Sequence, residues 1–153
     1  MPVIILHQKI NAPRNICFDL ARDVATHTET TSQTDEKAVA GRTEGLLELG
    51  ERVTWEAVHL GVRQRLTAEL SKMEKDRFFE DIMVRGAFHS FTHEHHFKTT
   101  RDGGTMMTDV FDYRSPFGLI GRVADRIFLE FYMKKLLKKR GLLLKQKAEA
   151  LYI

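Results

Sequence analysis

The chain has 153 residues, 42% hydrophobic and 29% charged, with a formal net charge of +3. That length supports one ordinary domain with a substantial core, so a single domain over residues 1–153 is expected, held without disulfides or structural metal. The lone Cys17 excludes an internal disulfide, and no basic-then-apolar leader or apolar run of about 18 residues is present, which predicts a soluble chain in a reducing cytoplasmic setting with no integral membrane segment.

The first predicted element is a strand at VIILHQKI (Val3 to Ile10), rich in β-branched residues. Asn11 and Pro13 of the following NAPRN suit the entrance to a helix. ICFDLARDVATH then predicts one or two short helices, with Ile16, Phe18, Leu20 and Val24 free to face a core, and TETTSQTD predicts a loop. From Glu36 to Arg114 the pattern is strand after strand, at roughly 36–43, 51–60, 62–73, 77–84, 87–99 and 104–114. The breaks between them are short, which favours an antiparallel meander.

After SPFG comes a long helix that Pro116 is placed to begin. Ile120, Val123, Ala124, Ile127, Phe128 and Phe131 share one face at helical spacing; Tyr132, Met133, Leu136 and Leu137 lie on another. A helix apolar on more than one side needs cover on more than one side, as inside the grip of a curved sheet. Gly141 is positioned to end or bend it.

The charge is unevenly distributed. Lys134, Lys135, Lys138, Lys139, Arg140, Lys145 and Lys147 leave 17 bases against 20 acids in residues 1–133. This basic stretch reads first as a solvated helix face, with peripheral contact to phosphate or anionic lipid as the alternative. Nucleic acid is not expected as a partner: Arg63 and Arg65 alternate with Val62, Gln64 and Leu66 on an outer sheet face, without the exposed aromatics that an RNA-reading sheet needs.

One strand, two short helices, six antiparallel strands and a long C-terminal helix resembles the helix-grip fold of the SRPBCC superfamily, which includes START lipid-binding domains, the birch-pollen-allergen family and polyketide cyclases. NAPRNICFDLARD, LGERVTWEAVHLG and GGTMMTDVFDYRSPFG are similar to the corresponding stretches of its bacterial members. The resemblance covers essentially the whole chain. It implies an α+β fold in which a curved seven-stranded antiparallel sheet wraps around the C-terminal helix. It does not imply one activity, because the superfamily includes carriers, cyclases and sensors.

Side chains on a strand alternate faces, so parity sorts the candidate site. In HSFTHEHHF the odd positions His89, Phe91, His93, His95 and Phe97 form the more aromatic face and are expected inside, with Glu94 and His96 outside. Thr105, Met107, Asp109, Phe111 and Tyr113 form the inner set of the next strand, and Val53, Trp55, Ala57 and His59 that of an earlier one. A three-residue hairpin loop at Arg101 to Gly103 sets His95 opposite Asp109 and His93 opposite Phe111. A slip of two residues brings Asp109 level with His93 instead.

The expected pocket thus has His59, His93, His95 and Asp109 at a polar end, among Trp55, Phe91, Phe97, Met107, Phe111 and Tyr113. Three readings compete for the polar end. His93, His95 and Asp109 have the composition of a metal-ligand set, although this spacing is common and the resembling superfamily is not generally metal-dependent. Alternatively, His95 and Asp109 act as an acid/base pair of a cyclase, dehydratase or hydrolase-like enzyme; no activated nucleophile accompanies them. In the third reading, to which we give most weight, the buried histidine and aspartate satisfy each other and orient a hydrophobic or aromatic ligand such as a lipid, isoprenoid or polyketide-like compound. Neither a cofactor nor a metal is expected.

Overall fold

The computed structural model describes residues 3–115 and 128–152. Strand β1 (Val3–Ile10) leads into helices α1 (Arg14–Arg22) and α2 (Val24–Thr30), then a 3-10 turn at Ser32–Thr34. Six strands follow: β2 (Lys37–Gly41), β3 (Arg52–His59), β4 (Val62–Glu74), β5 (Phe78–Arg85), β6 (Ser90–Thr99) and β7 (Thr105–Arg114). Helix α3 (Glu130–Tyr152) closes the described chain.

The seven strands form one antiparallel sheet in the order β1-β7-β6-β5-β4-β3-β2, a meander in which β1 returns to pair with the last strand. The turns explain why these strands stop where they do. Leu60 and Gly61, both at positive φ, reverse the chain between β3 and β4 in two residues. Between β6 and β7 the Thr100 N–H donates to the Gly104 carbonyl and Gly103 takes φ 84°, leaving Arg101 to Gly103 as the loop. Edge strand β2 is short and bulged between Ala38 and Ala40; at its end Gly41 has φ 72°, and a Cβ there would meet the Arg52 carbonyl oxygen.

The sequence-level elements map closely onto this architecture, with four differences. Thr28 to Thr30, expected in a loop, continue α2 because Thr28, Thr30 and Thr31 hydroxyls donate to carbonyls one turn back instead of competing with the helix. Strand β6 begins at Ser90 rather than 87, so His89 lies in the bend before it and is exposed, not on the inner face; strand parity does not extend into a bend. Helix α3 runs through Gly141, a buried helical position 3.9 Å from Gln8 when a Cβ is built, and does not end there. Phe128 and Phe131 are 50% and 70% exposed, whereas Met133 and Leu137 are buried. Pro116 as helix start, and Ile120, Val123, Ala124 and Ile127 as one helix face, lie outside the described residues.

The core has two parts. One joins α1 and the C-terminal half of α3 to the sheet through Ile10, Cys17, Phe18, Phe79, Phe97 and Leu144, with the Phe18 ring set edge-on to Phe79 at 5.7 Å and Phe97 at 5.6 Å. The other joins the start of α3 to the sheet through Ile4, Ala68, Phe91, Phe111, Met133 and Leu137. Buried α3 residues Met133, Leu137, Gly141, Leu144 and Ala148 recur every three or four residues and form the stripe laid on the sheet. Polar ties anchor the end of this helix: Lys145 donates to the Lys9 carbonyl and pairs with Glu149, which accepts from the Asn11 N–H, and Lys147 pairs with Glu29.

Asp23 sits between α1 and α2 and accepts hydrogen bonds from the Thr26 N–H (3.0 Å) and Thr26 hydroxyl (2.7 Å), capping α2. Asp23→Ala is expected to cost about 1 kcal/mol, read as a lower urea midpoint with unchanged m. An unchanged midpoint would show that the cap contributes nothing.

Candidate functional site

A cavity of about 450 Å³ lies between the sheet, the α1–α2 junction and the start of α3. Its wall combines Trp55, Ala68, Phe91, Phe111, Met133 and Leu137 with a smaller number of polar groups. Five sequence-predicted site residues line it: Trp55, His59, Phe91, His93 and Phe111. The other five, His95, Phe97, Met107, Asp109 and Tyr113, are buried behind that wall, at 0–8% exposure. Cys17 is buried in the α1 core, away from the cavity wall, and burial pushes its thiol pKa up, so it is no nucleophile here.

Three neighbouring strands build the polar cluster. Register sets Asp81 of β5 opposite His93, His93 opposite Phe111, and His95 opposite Asp109. His95 Nε2 lies 3.2 Å from Asp81 Oδ2, and its Nδ1 lies 2.9 Å from Asp109 Oδ1. The second approach is close but off the hydrogen-bond axis, because Asp109 Oδ1 lacks an aligned hydrogen-bond partner, as does His93 Nε2 at 3.6 Å from it. The His95 ring stacks on Phe79 (centroids 4.3 Å apart), and the His93 ring lies tilted beside it (4.0 Å).

The charge states follow from these contacts. Burial opposes protonation of His95, but carboxylates Asp109 and Asp81 on its two nitrogens outweigh that and raise its pKa. Burial, the His95 charge and Arg140 act together on His93 and, against the pull of Asp109, bring it down to about 4. Burial likewise opposes ionisation of Asp109 and Asp81, yet the histidines hold both carboxyls below the usual range. His95 is thus the histidine of the cluster that more readily holds a proton, between two carboxylates, beside a His93 that faces the cavity and resists protonation.

A second polar group lies on the same wall. His27 of α2 stacks on Trp55 at 4.0 Å and pairs with Glu36 at 2.7 Å. Burial and then Arg140 lower the His27 pKa despite that carboxylate; burial raises that of Glu36, but the His27 contact leaves it lowered. Across the cavity His59 Nδ1 is 2.8 Å from the Tyr132 hydroxyl, a bond from sheet to helix, and burial lowers the histidine's pKa.

His27, Glu36, Asp81, Tyr132 and Arg140 are cavity residues that the sequence reading did not select. Asp81 had a signal in FFEDIMV, where alternation sets it on the face of buried Phe79. Arg140 was grouped with the basic stretch, but its spacing from Met133, Leu137 and Leu144 is helical and puts it beside the buried stripe. Lys134, Lys135, Lys138 and Lys139 are exposed as expected.

Neither a protein-family model nor a curated protein matches the sequence. Solved structures do match. The chain is similar to TTHA0849 from Thermus thermophilus, with a TM-score of 0.80 and 18% identity over 99% of this chain and 100% of that one. It is also similar to major latex-like protein 151 from Panax ginseng (TM-score 0.70, 13% identity, 96% and 97% covered) and to Ara h 8.0201 (0.64, 10%, 97% and 98%). The chain has the helix-grip fold: a seven-stranded antiparallel sheet with two short helices after the first strand and a long C-terminal helix. No helix among the described residues is long and apolar enough to cross a membrane.

The depressed pKa of His93 makes stability depend on pH. Between its ordinary value of 6.5 and about 4, the unfolded chain takes up a proton there that the folded chain refuses, so stability falls as pH falls through that window. His95 contributes in the opposite sense, adding stability below its ordinary value that is lost as pH rises through its raised one. His93→Gln is expected to flatten the decline between pH 6.5 and 4, removing a dependence on the order of 3 kcal/mol. Urea unfolding at several pH values checks this; equal slopes in both proteins would refute the assignment.

Proposed function

We propose that the chain binds a hydrophobic or aromatic small molecule, of lipid, isoprenoid or polyketide-like type, between the sheet and α3. The observation that carries this reading is the cavity itself: about 450 Å³, largely apolar, with Asp81, His93 and Arg140 at its wall. That volume and that mixture suit a small-molecule site, in which apolar area supplies affinity and a few polar groups fix orientation. In this reading Trp55, Phe91 and Phe111 contact the apolar body of the ligand, and His59 and His93 its polar end. His95, Phe97, Met107, Asp109 and Tyr113 support them from behind. Because His95 and Asp109 do not line the cavity, the geometry favours binding over a His95–Asp109 acid/base enzyme.

Trp55 is the sole tryptophan and belongs to the cavity wall, so its fluorescence reports occupancy. Titration with a long-chain fatty acid and with a naphthalene-sulfonate dye is expected to change that fluorescence saturably. Ala68→Phe, which fills the cavity from β4, is expected to weaken binding at least about tenfold, a loss of roughly 1.4 kcal/mol. Native mass spectrometry and lipid extraction of the purified protein provide the independent check. No saturable signal, together with no co-purifying compound, would sink the reading.

Exchange with a membrane surface fits the same function. Exposed Lys134, Lys135, Lys138 and Lys139 on α3 lie beside exposed Phe131, a cationic and aromatic combination suited to anionic lipid. Lys138→Glu together with Lys139→Glu is expected to reduce co-sedimentation with phosphatidylserine vesicles at low salt. Failure of the unmodified protein to bind such vesicles at any ionic strength excludes this contact.

A further inference from the structure

We propose that Asp81, His93 and His95 form a site for a single divalent transition-metal ion of the zinc or iron(II) class, with Asp109 as the outer carboxylate that orients His95. One ligand atom from each of the three lies within 4.8 Å of the others. Asp81 Oδ2 and His95 Nε2 are already 3.2 Å apart, the separation of two ligands around an ion with bonds of roughly 2.1 Å. The His93 ligand atom lies within 4.8 Å of both, and strand register holds the three backbone positions next to one another.

Two further observations point to an ion. Metal-bound histidines characteristically turn the other ring nitrogen to a carboxylate, and Asp109 Oδ1 lies 2.9 Å from His95 Nδ1 while Nε2 faces Asp81. His93 Nε2 is buried without an aligned hydrogen-bond partner, an expensive state for an imidazole nitrogen that coordination or reorientation toward an ion relieves. Two imidazoles and one carboxylate select zinc, iron(II) or cobalt(II) over magnesium or calcium, which require an oxygen shell. Asp81 and His93 line the cavity, so the remaining coordination positions open toward whatever occupies it. The set is not the one suggested by sequence spacing: Asp81 takes the ligand position and Asp109 moves to the outer one.

The site rests on the side-chain cluster and not on the organic-ligand reading, and the metal alone is the probe, so either can fail without the other. Metal-free protein is titrated near neutral pH with Zn²⁺ by calorimetry and with Co²⁺ by visible absorption. One saturable equivalent is expected. Asp81→Asn and His93→Ala are each expected to weaken it at least tenfold and Asp109→Asn by roughly 10–100-fold, with His96→Ala unchanged. Nitrogen-15 NMR of the unmodified protein reads the same site without relying on any variant to fold: Zn²⁺ shifts the ring nitrogens of His93 and His95. No saturable binding, shifts confined to exposed His7, His89 and His96, or equal affinity in folded Asp81→Asn and His93→Ala proteins overturns the proposal.

Discussion

The register between β6 and β7 is the constraint on which the rest of this molecule depends. A loop of three residues, reversed at Gly103, sets Thr99 opposite Thr105 and so sets Phe97 opposite Met107, His95 opposite Asp109, and Phe91 opposite Tyr113. A slip of one residue would send every one of these side chains to the other face and bring Glu94, His96, Thr108 and Asp112 into the core. The two strands hold both halves of the hydrophobic core as well as the charged cluster between them. Specifying the hairpin therefore specifies the site.

The space enclosed by the sheet, the α1–α2 junction and the start of α3 has an energetic consequence. Apolar side chains that face a cavity lose dispersion partners and part of the benefit of burial. The chain offsets this with dense aromatic packing on the α1 side, where Phe18, Phe79 and Phe97 are mutually in contact, and at the end of α3 with the Lys145 hydrogen bond to the Lys9 carbonyl of β1 and the Lys147–Glu29 ion pair to α2. The half of α3 nearer the cavity is held by Met133 and Leu137 and by the Tyr132 to His59 bond. Strong packing at one end keeps the helix in place while the other end borders the cavity.

Much of this was legible in the sequence because strand parity is a strict rule. Three strands with clear apolar faces gave Val53, Trp55 and Ala57; Phe91, His93, His95 and Phe97; and the odd residues of β7, all of them buried. Parity sorts faces, but it cannot separate residues that touch a cavity from those behind them, because that distinction depends on the curvature of the sheet and the distance to α3. His95 and Asp109 fell on the far side of that line. Asp81 was missed for another reason: β5 reads as mixed, and its register against β4 shifts twice, so its inward face is less plain in the sequence. Arg140 was obscured by its lysine neighbours, since charge composition alone does not say which cation in a basic stretch points inward.

The polar cluster is poorly explained as a device for stability. A buried histidine between two carboxylates recovers its desolvation cost only with good geometry, and an apolar trio of the same volume commonly does as well or better. Here the geometry is incomplete: Asp109 Oδ1 and His93 Nε2 both lack aligned hydrogen bonds. Burial and then the neighbouring His95 keep the His93 pKa low, and its ring faces the cavity. Unfavourable local energetics retained at the wall of an open space are characteristic of a functional site, where a fold gives up stability for a poised group. Replacing such a cluster with leucine or phenylalanine would give a tighter core, and it would remove the acidic and imidazole groups, Asp81 and His93, that β5 and β6 present to the cavity.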